Sequence, residues 1–182
     1  MSLWSKFKRA WLVHVAKPTG DTFVKRTICA RPASRILEIG VGDASRALTL
    51  IGEMRDMKVD PIHYYGIDEF EGRTLSGKEP GLAYKDAFRK LKASGAQVQL
   101  IPGDPFTALS RTANTLRDMQ LVVISADQFG DSLDRGWFYL PRVLAPDATI
   151  LVADGSQESG FRTLTPLDVQ RLVEPRPRKK AA

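Results

Sequence analysis

Acidic residues recur at the ends of apolar runs in this chain, and they are the side chains best suited to chemistry. Five such runs occur, at 35–40, 62–68, 98–104, 121–127 and 148–154, and their acids are Glu38, Asp68, Asp104, Asp127 and Asp154. Carboxylates accept hydrogen bonds from hydroxyl, amino and ammonium groups. If these runs are neighbouring parallel strands, their carboxyl ends bring the acids to one edge of a sheet, where such sheets bind ligands.

The first acid precedes a turn with two glycines, in the segment EIGVGDA at 38–44. Glycines after a strand allow a tight turn and a close approach of a ligand to the backbone before a helix begins. The spacing does not match the G-x-G-x-x-G pattern of dinucleotide sites. A carboxylate at Glu38 would oppose a phosphate but accept hydrogen bonds from an ammonium group. The segment therefore favours a ligand with an ammonium group over one with a diphosphate.

The next two acids end the second and third runs, where a nucleoside would need acceptors. A carboxylate at Asp68 can accept from both hydroxyls of a ribose, and Asp104 could accept from an exocyclic amine near the adenine end of the crevice. Glu69 and Pro105 follow them directly and are predicted to line the same site. The alternative is that each acid caps the next helix. Three acids at consecutive strand ends favour ligand binding over capping.

Segments with helical spacing separate the apolar runs. They cover 44–57, 82–95, 106–119 and 132–146, and their apolar residues lie three and four positions apart. Strands that alternate with helices predict right-handed βαβ units. Near-continuous apolar runs are typical of strands covered on both faces. The predicted fold class is therefore α/β, with a doubly wound and mostly parallel sheet.

The composition excludes several classes of protein. The 182 residues fit one domain, with 43% apolar and 26% charged residues. The single cysteine, Cys29, excludes an intramolecular disulfide and a cysteine-rich zinc module, and two histidines supply little for a zinc site. The sequence has no apolar run of about 18 residues and no secretory signal, so the expected location is the cytoplasm, without a transmembrane segment.

The net charge of +6 comes from the two ends of the chain. Residues 1–35 carry eight basic residues and one acid, and residues 171–182 carry five and one. The body, 36–170, carries fourteen basic residues and nineteen acids. An acidic body with basic ends is not the footprint of a broad nucleic-acid-binding face. Nucleic acid is therefore not the expected partner.

Three parts are predicted, a basic helical segment at 1–34, an α/β domain at 35–173 and a basic, disordered tail at 174–182. The first segment begins with an amphipathic helix that has Trp4 and Trp11 on its apolar face. This helix either touches a membrane surface or nucleic acid, or packs on the sheet edge or on a second subunit. The last of these alternatives would make the protein a homodimer.

The C-terminal part has room for little more than one further strand. Residues 160–164 can form a short strand, and Thr165 with Pro166 marks the start of a helix. The C-terminal strands of the sheet are therefore predicted to be truncated.

Residues 35–154 resemble the core of a class I S-adenosylmethionine-dependent methyltransferase. EIGVGDA resembles the first motif of that superfamily, GID (66–68) its second and IPGD (101–104) its third. YYGIDEFEG (64–72) resembles a segment of macrocin-type O-methyltransferases, and the last two apolar runs are similar to strands of that group and of catechol-type enzymes. The resemblance implies a Rossmann-like methyltransferase fold with S-adenosylmethionine as cofactor. It implies that Glu38, Gly40 and Gly42 face the methionine part, Asp68 the ribose and Asp104 the adenine.

Two acids remain for catalysis, Asp127 and Asp154. Methyl transfer needs a nucleophile in line with the sulfonium methyl group and sometimes a base or metal that removes its proton. Metal-dependent relatives have an aspartate where this chain has Ser125, so a metal site would lack a ligand and none is predicted. Asp127 is the candidate base or substrate contact, with helix capping as the alternative. The same two alternatives apply to Asp154.

The predicted function is methyl transfer to an oxygen or nitrogen atom of a small molecule, without a metal ion. The main alternative is a non-catalytic methyltransferase-like binding or partner subunit, which Ser125 and the truncated sheet favour. A nucleic-acid methyltransferase is disfavoured because no Asn/Asp-Pro-Pro-Tyr-type motif follows the fourth run. A nicotinamide dehydrogenase is disfavoured by the glycine spacing and by Glu38.

Overall fold

A single six-stranded sheet forms the centre of the structure, a computed structural model that describes residues 20–76, 81–154 and 160–173. The strands are β1 (Arg35–Ile39), β2 (His63–Asp68), β3 (Gln97–Pro102), β4 (Met119–Ile124), β5 (Leu144–Ala153) and β6 (Phe161–Leu164). Their order across the sheet is β3-β2-β1-β4-β5-β6. Strands β1 to β5 are parallel, and β6 runs antiparallel to β5. This confirms the predicted α/β class.

Helices cover both faces of the sheet. In the described residues, the α-helices are α1 (Asp21–Ala30), α2 (Ser45–Asp56), α3 (Tyr84–Lys92), α4 (Pro105–Thr112), α5 (Asp131–Gly136) and α6 (Pro166–Val173), and short 3-10 helices span Phe70–Ser76, Ala126–Gln128 and Leu140–Arg142. Buried residues of α1, α2 and α3 form one core with one face of the sheet. Those of α4, α5 and α6 form a second core with the other face. The sheet is therefore doubly wound, as predicted.

Strand β4 explains why the strands are near-continuous apolar runs in the sequence. Leu121 and Val123 belong to one core, whereas Val122 and Ile124 belong to the other. Successive side chains of a strand point to opposite faces. Because helices cover both faces, all four side chains are buried, as expected for a parallel sheet.

The connection before β5 differs from the prediction. We expected a helix over 132–146, but α5 ends at Gly136 and β5 begins at Leu144. Pro141 lies between them, and a proline lacks the N–H group that a continuing helix needs. Leu144 pairs with Met119 of β4 instead. Strand pairing therefore outweighs the local helical spacing in this segment.

The C-terminal elements follow the prediction. Residues 161–164 form β6, and a capping box begins α6. The Oγ1 atom of Thr165 accepts from the N–H of Asp168 at 3.2 Å, and the carboxylate of Asp168 accepts from the N–H of Thr165 at 2.9 Å. Within the described residues, β6 is the one strand that follows β5. The predicted tail at 174–182 lies outside the described residues.

The N-terminal segment is described from residue 20 onward. Helix α1 packs through Val24 and Ile28, which are buried in the core that it shares with α2. The predicted helix around Trp4, Phe7 and Trp11 lies outside the described residues. No helix in the described part of the chain is long and apolar enough to cross a membrane.

The order of the strands determines where a site can form. From β1 the chain passes to β2 and β3 on one side, and then returns to β4 on the other side of β1. The carboxyl ends of β1 and β4 therefore border a topological switch point. Open sheets of this kind have their ligand-binding crevice there.

Truncation of Ile28 tests whether α1 is an integral part of the domain. Ile28→Ala shortens a fully buried side chain, so we expect the free energy of unfolding in urea to fall by about 2–5 kcal/mol. Leu167→Ala on α6 is the control, because Leu167 is 54% exposed and its truncation should cost less than about 0.5 kcal/mol. Equal effects of the two substitutions would contradict a docked α1.

Candidate functional site

The turn after β1 forms the base of the switch-point crevice. Gly40 and Gly42 have φ angles of 93° and 59°, in the left-handed region that glycine adopts without strain. A Cβ atom at Gly40 would lie 2.7 Å from Cβ of Ser125, so this glycine lets the ends of β1 and β4 meet. A Cβ atom at Gly42 would have no atom of the described residues, apart from its chain neighbours, within 4 Å. The space above Gly42 is therefore open to a ligand.

Asp68, the last residue of β2, is 1% exposed and accepts four hydrogen bonds from the described residues. Its Oδ2 accepts from the N–H of Gly42 at 2.9 Å and from Nη2 of Arg73 at 2.5 Å. Its Oδ1 accepts from the N–H of Phe70 at 3.1 Å and from Nε of Arg73 at 2.6 Å. A carboxylate offers about four lone-pair positions, so all of its acceptor capacity is used.

Arg73 also contacts Asp127, in the 3-10 helix after β4. The distance from Nη1 of Arg73 to Oδ2 of Asp127 is 2.7 Å. Because β1 lies between β2 and β4, a guanidinium that touches both Asp68 and Asp127 crosses the carboxyl end of β1. The Arg73 side chain is 8% exposed, whereas that of Asp127 is 40% exposed. These three charged side chains therefore form one cluster beside the glycine turn, across the carboxyl ends of β2, β1 and β4.

The charges of Asp68 and Arg73 stabilise each other. Burial acts to raise the pKa of Asp68, but hydrogen bonds from Arg73, Gly42 and Phe70 outweigh burial and hold this pKa below its ordinary value of 3.8. The same carboxylate raises the pKa of Arg73. Both groups are therefore charged at neutral pH. Bidentate pairs between arginine and a carboxylate are among the strongest hydrogen-bonded contacts in proteins.

Glu38 is fully buried on β1. The hydroxyl of Tyr64 donates to its Oε2 at 2.6 Å, and Nη1 of Arg46 lies 3.4 Å from its Oε1. Burial raises the pKa of Glu38 from 4.5 to about 7, although Arg46 and Tyr64 oppose this change. Burial and the nearby Glu38 also raise the pKa of Tyr64. Both oxygens of Glu38 thus have partners inside the domain, and because the side chain is fully buried, a contact with an ammonium group of a ligand would require a rearrangement.

Ser125, the residue that follows β4, links β4 to the glycine turn. Its hydroxyl donates to the carbonyl oxygen of Gly40 at 2.9 Å and accepts from Nη1 of Arg46 at 2.7 Å. The hydroxyl of Ser125 is thus engaged in contacts within the domain. Across residues 20–76, 81–154 and 160–173, no three His, Cys, Asp or Glu side chains form a group that could hold a metal ion.

Gln128 supplies a buried acceptor next to the glycine turn. Its Nε2 donates to Asp127 at 3.0 Å, and its Cγ would lie 2.8 Å from a Cβ atom at Gly40. Its Oε1 is buried and has no hydrogen-bond partner among the described residues. Most buried polar atoms in proteins have such a partner. An N–H or ammonium group of a ligand would satisfy this oxygen.

Asp104 is the N-cap of α4. Its Oδ1 accepts from the N–H of Thr107 at 3.1 Å and from the hydroxyl of Ser132. Burial acts to raise the pKa of Asp104, but these hydrogen bonds hold it below 3.8. Pro105 is buried at the first position of the helix. The capping role that the sequence allowed is thus present, and the contact with an adenine stays a prediction.

Glu69 and Asp154 are the remaining predicted site residues. The carbonyl oxygen of Glu69 accepts from the N–H of Gly72 at 2.8 Å, within the bend that follows β2. One oxygen of Asp154 lies 3.9 Å from Nε of Arg162 on β6. Because Asp154 follows β5, it lies two strands away from β1. The structure thus joins Asp127 to the turn after β1 and the bend after β2, and places Asp154 further along the edge.

Sequence reasoning did not identify Arg73, Arg46 or Gln128. Arginine and glutamine are common on protein surfaces, and no pattern in the sequence marks these three as inward-facing. The one available signal was indirect, since a buried acid requires a nearby donor. The bend at Phe70–Ser76 is what brings Arg73 back onto Asp68.

Comparison with known proteins defines the class of fold. No family model and no curated protein matches the chain. The solved structure of the O-methyltransferase TomG from Streptomyces achromogenes, involved in tomaymycin synthesis and in complex with SAM, is similar with a TM-score of 0.54 at 15% identity. The match covers 94% of this chain and 77% of TomG.

A second solved structure, the SAH-bound methyltransferase PaMTH1 from Podospora anserina, is similar with a TM-score of 0.50 at 19% identity. This match covers 84% of this chain and 62% of PaMTH1, so the chain spans less than two thirds of that protein. The chain has the Rossmann-like fold of class I S-adenosylmethionine-dependent methyltransferases.

The switch-point residues fit the two ends of S-adenosylmethionine differently. The space beside Gly42 suits a ligand that approaches the backbone closely, and the buried Oε1 of Gln128 next to Gly40 still needs a donor. Asp68 lies at the carboxyl end of β2, where a ribose needs an acceptor, but Arg73 holds both of its oxygens. A contact between Asp68 and the ribose of the nucleoside would therefore require Arg73 to move away.

The two glycines of the turn should respond differently to alanine. Gly40→Ala places a Cβ atom against Ser125 at a positive φ angle, so we expect a loss of roughly 3 kcal/mol in the free energy of unfolding. Gly42→Ala meets no neighbour and should cost only about 1 kcal/mol, because of its φ angle alone. Urea unfolding of both variants measures the difference. A greater loss for Gly42→Ala would contradict the packing described here.

Glu38 should make stability fall between pH 4.5 and 7. Its pKa is raised in the folded protein, so over this window the unfolded chain releases a proton that the folded protein retains, and unfolding becomes easier as the pH rises. Glu38→Gln keeps the acceptor for Tyr64 and removes the titration. As the pH rises from 4.5 to 8, we expect the free energy of unfolding of this variant to increase by up to about 3 kcal/mol relative to that of wild type. If urea unfolding gave wild type and Glu38→Gln the same dependence of stability on pH, the raised pKa of Glu38 would be contradicted.

Proposed function

We propose that the chain binds S-adenosylmethionine at the carboxyl end of β1 and transfers its methyl group to an oxygen or nitrogen atom of a small molecule, without a metal ion. The observation that carries this proposal is the open space above Gly42, in a glycine turn at the switch point of a methyltransferase fold. The choice of ligand is supported by TomG and PaMTH1, which were crystallised with SAM and SAH.

The methionine part of the ligand has candidate partners on the turn after β1. Gly40 and Gly42 allow it to approach the backbone closely. Gln128 offers its buried Oε1 to the ammonium group, which would satisfy an oxygen that lacks a donor among the described residues. Glu38 stabilises this region indirectly. It contacts Arg46, which donates to Ser125, and Ser125 donates to Gly40 of the turn.

The nucleoside part has candidate partners at the ends of β2 and β3. Asp68 would accept hydrogen bonds from the ribose hydroxyls, with Glu69 beside it. Asp104 and Pro105, at the start of α4, would border the adenine. The lowered pKa of Asp68 keeps this carboxylate ionised at neutral pH, and an ionised carboxylate is the stronger acceptor for hydroxyl groups.

Catalysis in this proposal depends mainly on the position of the acceptor. The bound cofactor supplies an electrophilic methyl group on a good leaving group. The protein must hold the acceptor atom in line behind that group. Asp127 is the candidate that orients the acceptor or takes its proton, since its partly exposed carboxylate lies at the switch point. Asp154, at the end of β5, is the second candidate for this role.

A non-catalytic methyltransferase-like binding or partner subunit is the second candidate function. The contact between Arg73 and Asp68 favours it, because a carboxylate held on both oxygens by a guanidinium cannot also accept from a ribose. If this contact were permanent, the chain would keep the fold without the cofactor.

Gly42→Ala tests the proposed site without removing a charge. Its Cβ atom would enter the open space above the turn, so we expect the affinity for S-adenosylhomocysteine, measured by calorimetry, to fall by about tenfold or more. Gly52→Ala is the matched control, since a Cβ atom there also meets no atom within 4 Å but lies two turns into α2. Its affinity should equal that of wild type.

The same titration tests cofactor binding, and the acceptor screen that follows it separates an enzyme from a non-catalytic subunit that still binds the cofactor. Binding of S-adenosylmethionine and S-adenosylhomocysteine, with no binding of NAD, is the expected result and would justify a screen of small-molecule acceptors. If neither ligand binds the folded protein even at millimolar concentration, the methyltransferase proposal is overturned in favour of the partner subunit.

A further inference from the structure

We propose that Arg73 is a latch residue: it occupies both carboxylate oxygens of Asp68 in the empty protein, and when the nucleoside binds it leaves Asp68 and keeps its contact with Asp127. This proposal rests on the proposed function, because it assumes that a ribose competes for Asp68. It makes Arg73 a positioning residue that links Asp68, the proposed ribose contact, to Asp127, the proposed contact of the methyl acceptor.

The four donors to Asp68 identify Arg73 as the one that can leave. The bonds from Gly42 and Phe70 come from backbone N–H groups, which the turn and the bend hold in place. The other two bonds come from one long side chain with several rotatable bonds. Two ribose hydroxyls can replace these two donors one for one. The buried carboxylate would then keep four hydrogen bonds throughout the exchange.

Asp127 gives the displaced guanidinium a second anchor. Nη1 of Arg73 already lies 2.7 Å from Oδ2 of Asp127, and the Asp127 side chain is 40% exposed. The guanidinium can therefore rotate towards solvent without losing its counter-ion. A buried arginine that had to leave its only carboxylate would face a much larger penalty.

Gly81 provides the space in which Arg73 lies against Asp68. A Cβ atom at Gly81 would be 2.8 Å from Cδ of Arg73, closer than real Cβ contacts allow, and 3.0 Å from its Nε, tighter than most of them. The backbone of Gly81 does not have a left-handed φ angle, so its conformation is open to other residues. The glycine at this position is thus matched to the side chain of Arg73.

While Arg73 occupies Asp68, the protein binds the cofactor more weakly. A ligand that requires a minor, open state binds more weakly by the fraction of molecules in that state. Opening the latch should therefore tighten cofactor binding. Opening also frees Asp68 and leaves the guanidinium with Asp127 instead of shared between the two acids. Loading of the cofactor would therefore change the balance of charge around Asp127.

Gly81→Ala opens the latch while Arg73 remains in the protein. The new Cβ atom would push the stem of Arg73 away from Asp68. We expect the dissociation constant for S-adenosylhomocysteine, measured by calorimetry, to decrease by about tenfold, as when the open state makes up about a tenth of the empty wild type. Gly72→Ala, next to Arg73 in the 3-10 helix Phe70–Ser76, is the matched control, because its Cβ atom would lie an ordinary 3.6 Å from Cβ of Glu69.

A second measurement follows the latch in the wild-type protein, without any substitution in the complex. The Nε–H group of Arg73 donates to Asp68 in the empty state, so its NMR signal should exchange slowly with water. The signal is assigned by its absence from Arg73→Lys. Saturation with S-adenosylhomocysteine should abolish this protection.

The two measurements distinguish failure of the latch from failure of the proposed function. If wild type binds S-adenosylhomocysteine with the Nε–H of Arg73 still protected, the latch is overturned and the cofactor site is retained. Unchanged affinity in a folded Gly81→Ala variant would have the same meaning. If wild type, Gly72→Ala and Gly81→Ala are all folded and none binds, the proposed function and the latch are overturned together.

Discussion

A carboxylate that is withdrawn from water needs hydrogen-bond donors, and this need of Asp68 organises the carboxyl edge of the sheet. The N–H of Gly42 donates to Asp68 and so connects the turn after β1 to β2. The N–H of Phe70, at the start of the 3-10 helix after β2, donates to the same carboxylate. Arg73 then carries the contact across β1 to Asp127. Three loops that would otherwise be independent therefore share one buried charge.

Two buried acids on this edge have opposite pKa shifts, and the number of their donors explains the difference. Asp68 has two backbone donors and a bidentate guanidinium, which together outweigh burial. Glu38 has the hydroxyl of Tyr64 and a guanidinium 3.4 Å away, which do not. Near neutral pH, Asp68 is ionised while Glu38 is close to its midpoint. Asp68 is thus held as a charged acceptor whose four positions are filled within the domain, and Glu38 supports the strand beneath the turn.

The same cluster is compatible with both candidate functions, and the difference between them lies in one side chain. The glycine turn at the switch point is the feature on which the proposed cofactor site depends. The guanidinium of Arg73 competes for the acceptor that the cofactor's ribose would need. In the proposed methyltransferase, Arg73 leaves Asp68 when the cofactor binds, whereas in the alternative partner subunit this contact is permanent.

The sequence by itself determined the α/β class, because the period of apolar residues and the position of turn residues are local properties. It also placed Asp68 and Glu38 at strand ends, since that follows from the strands themselves. Tertiary structure alone decided their partners: Arg73 returns to Asp68 through a bend, and Tyr64 reaches Glu38 from the adjacent strand. It also replaced the helix expected over 132–146 with the start of β5. Strand pairing and side-chain contacts join residues that are distant in the chain, so local spacing does not specify them.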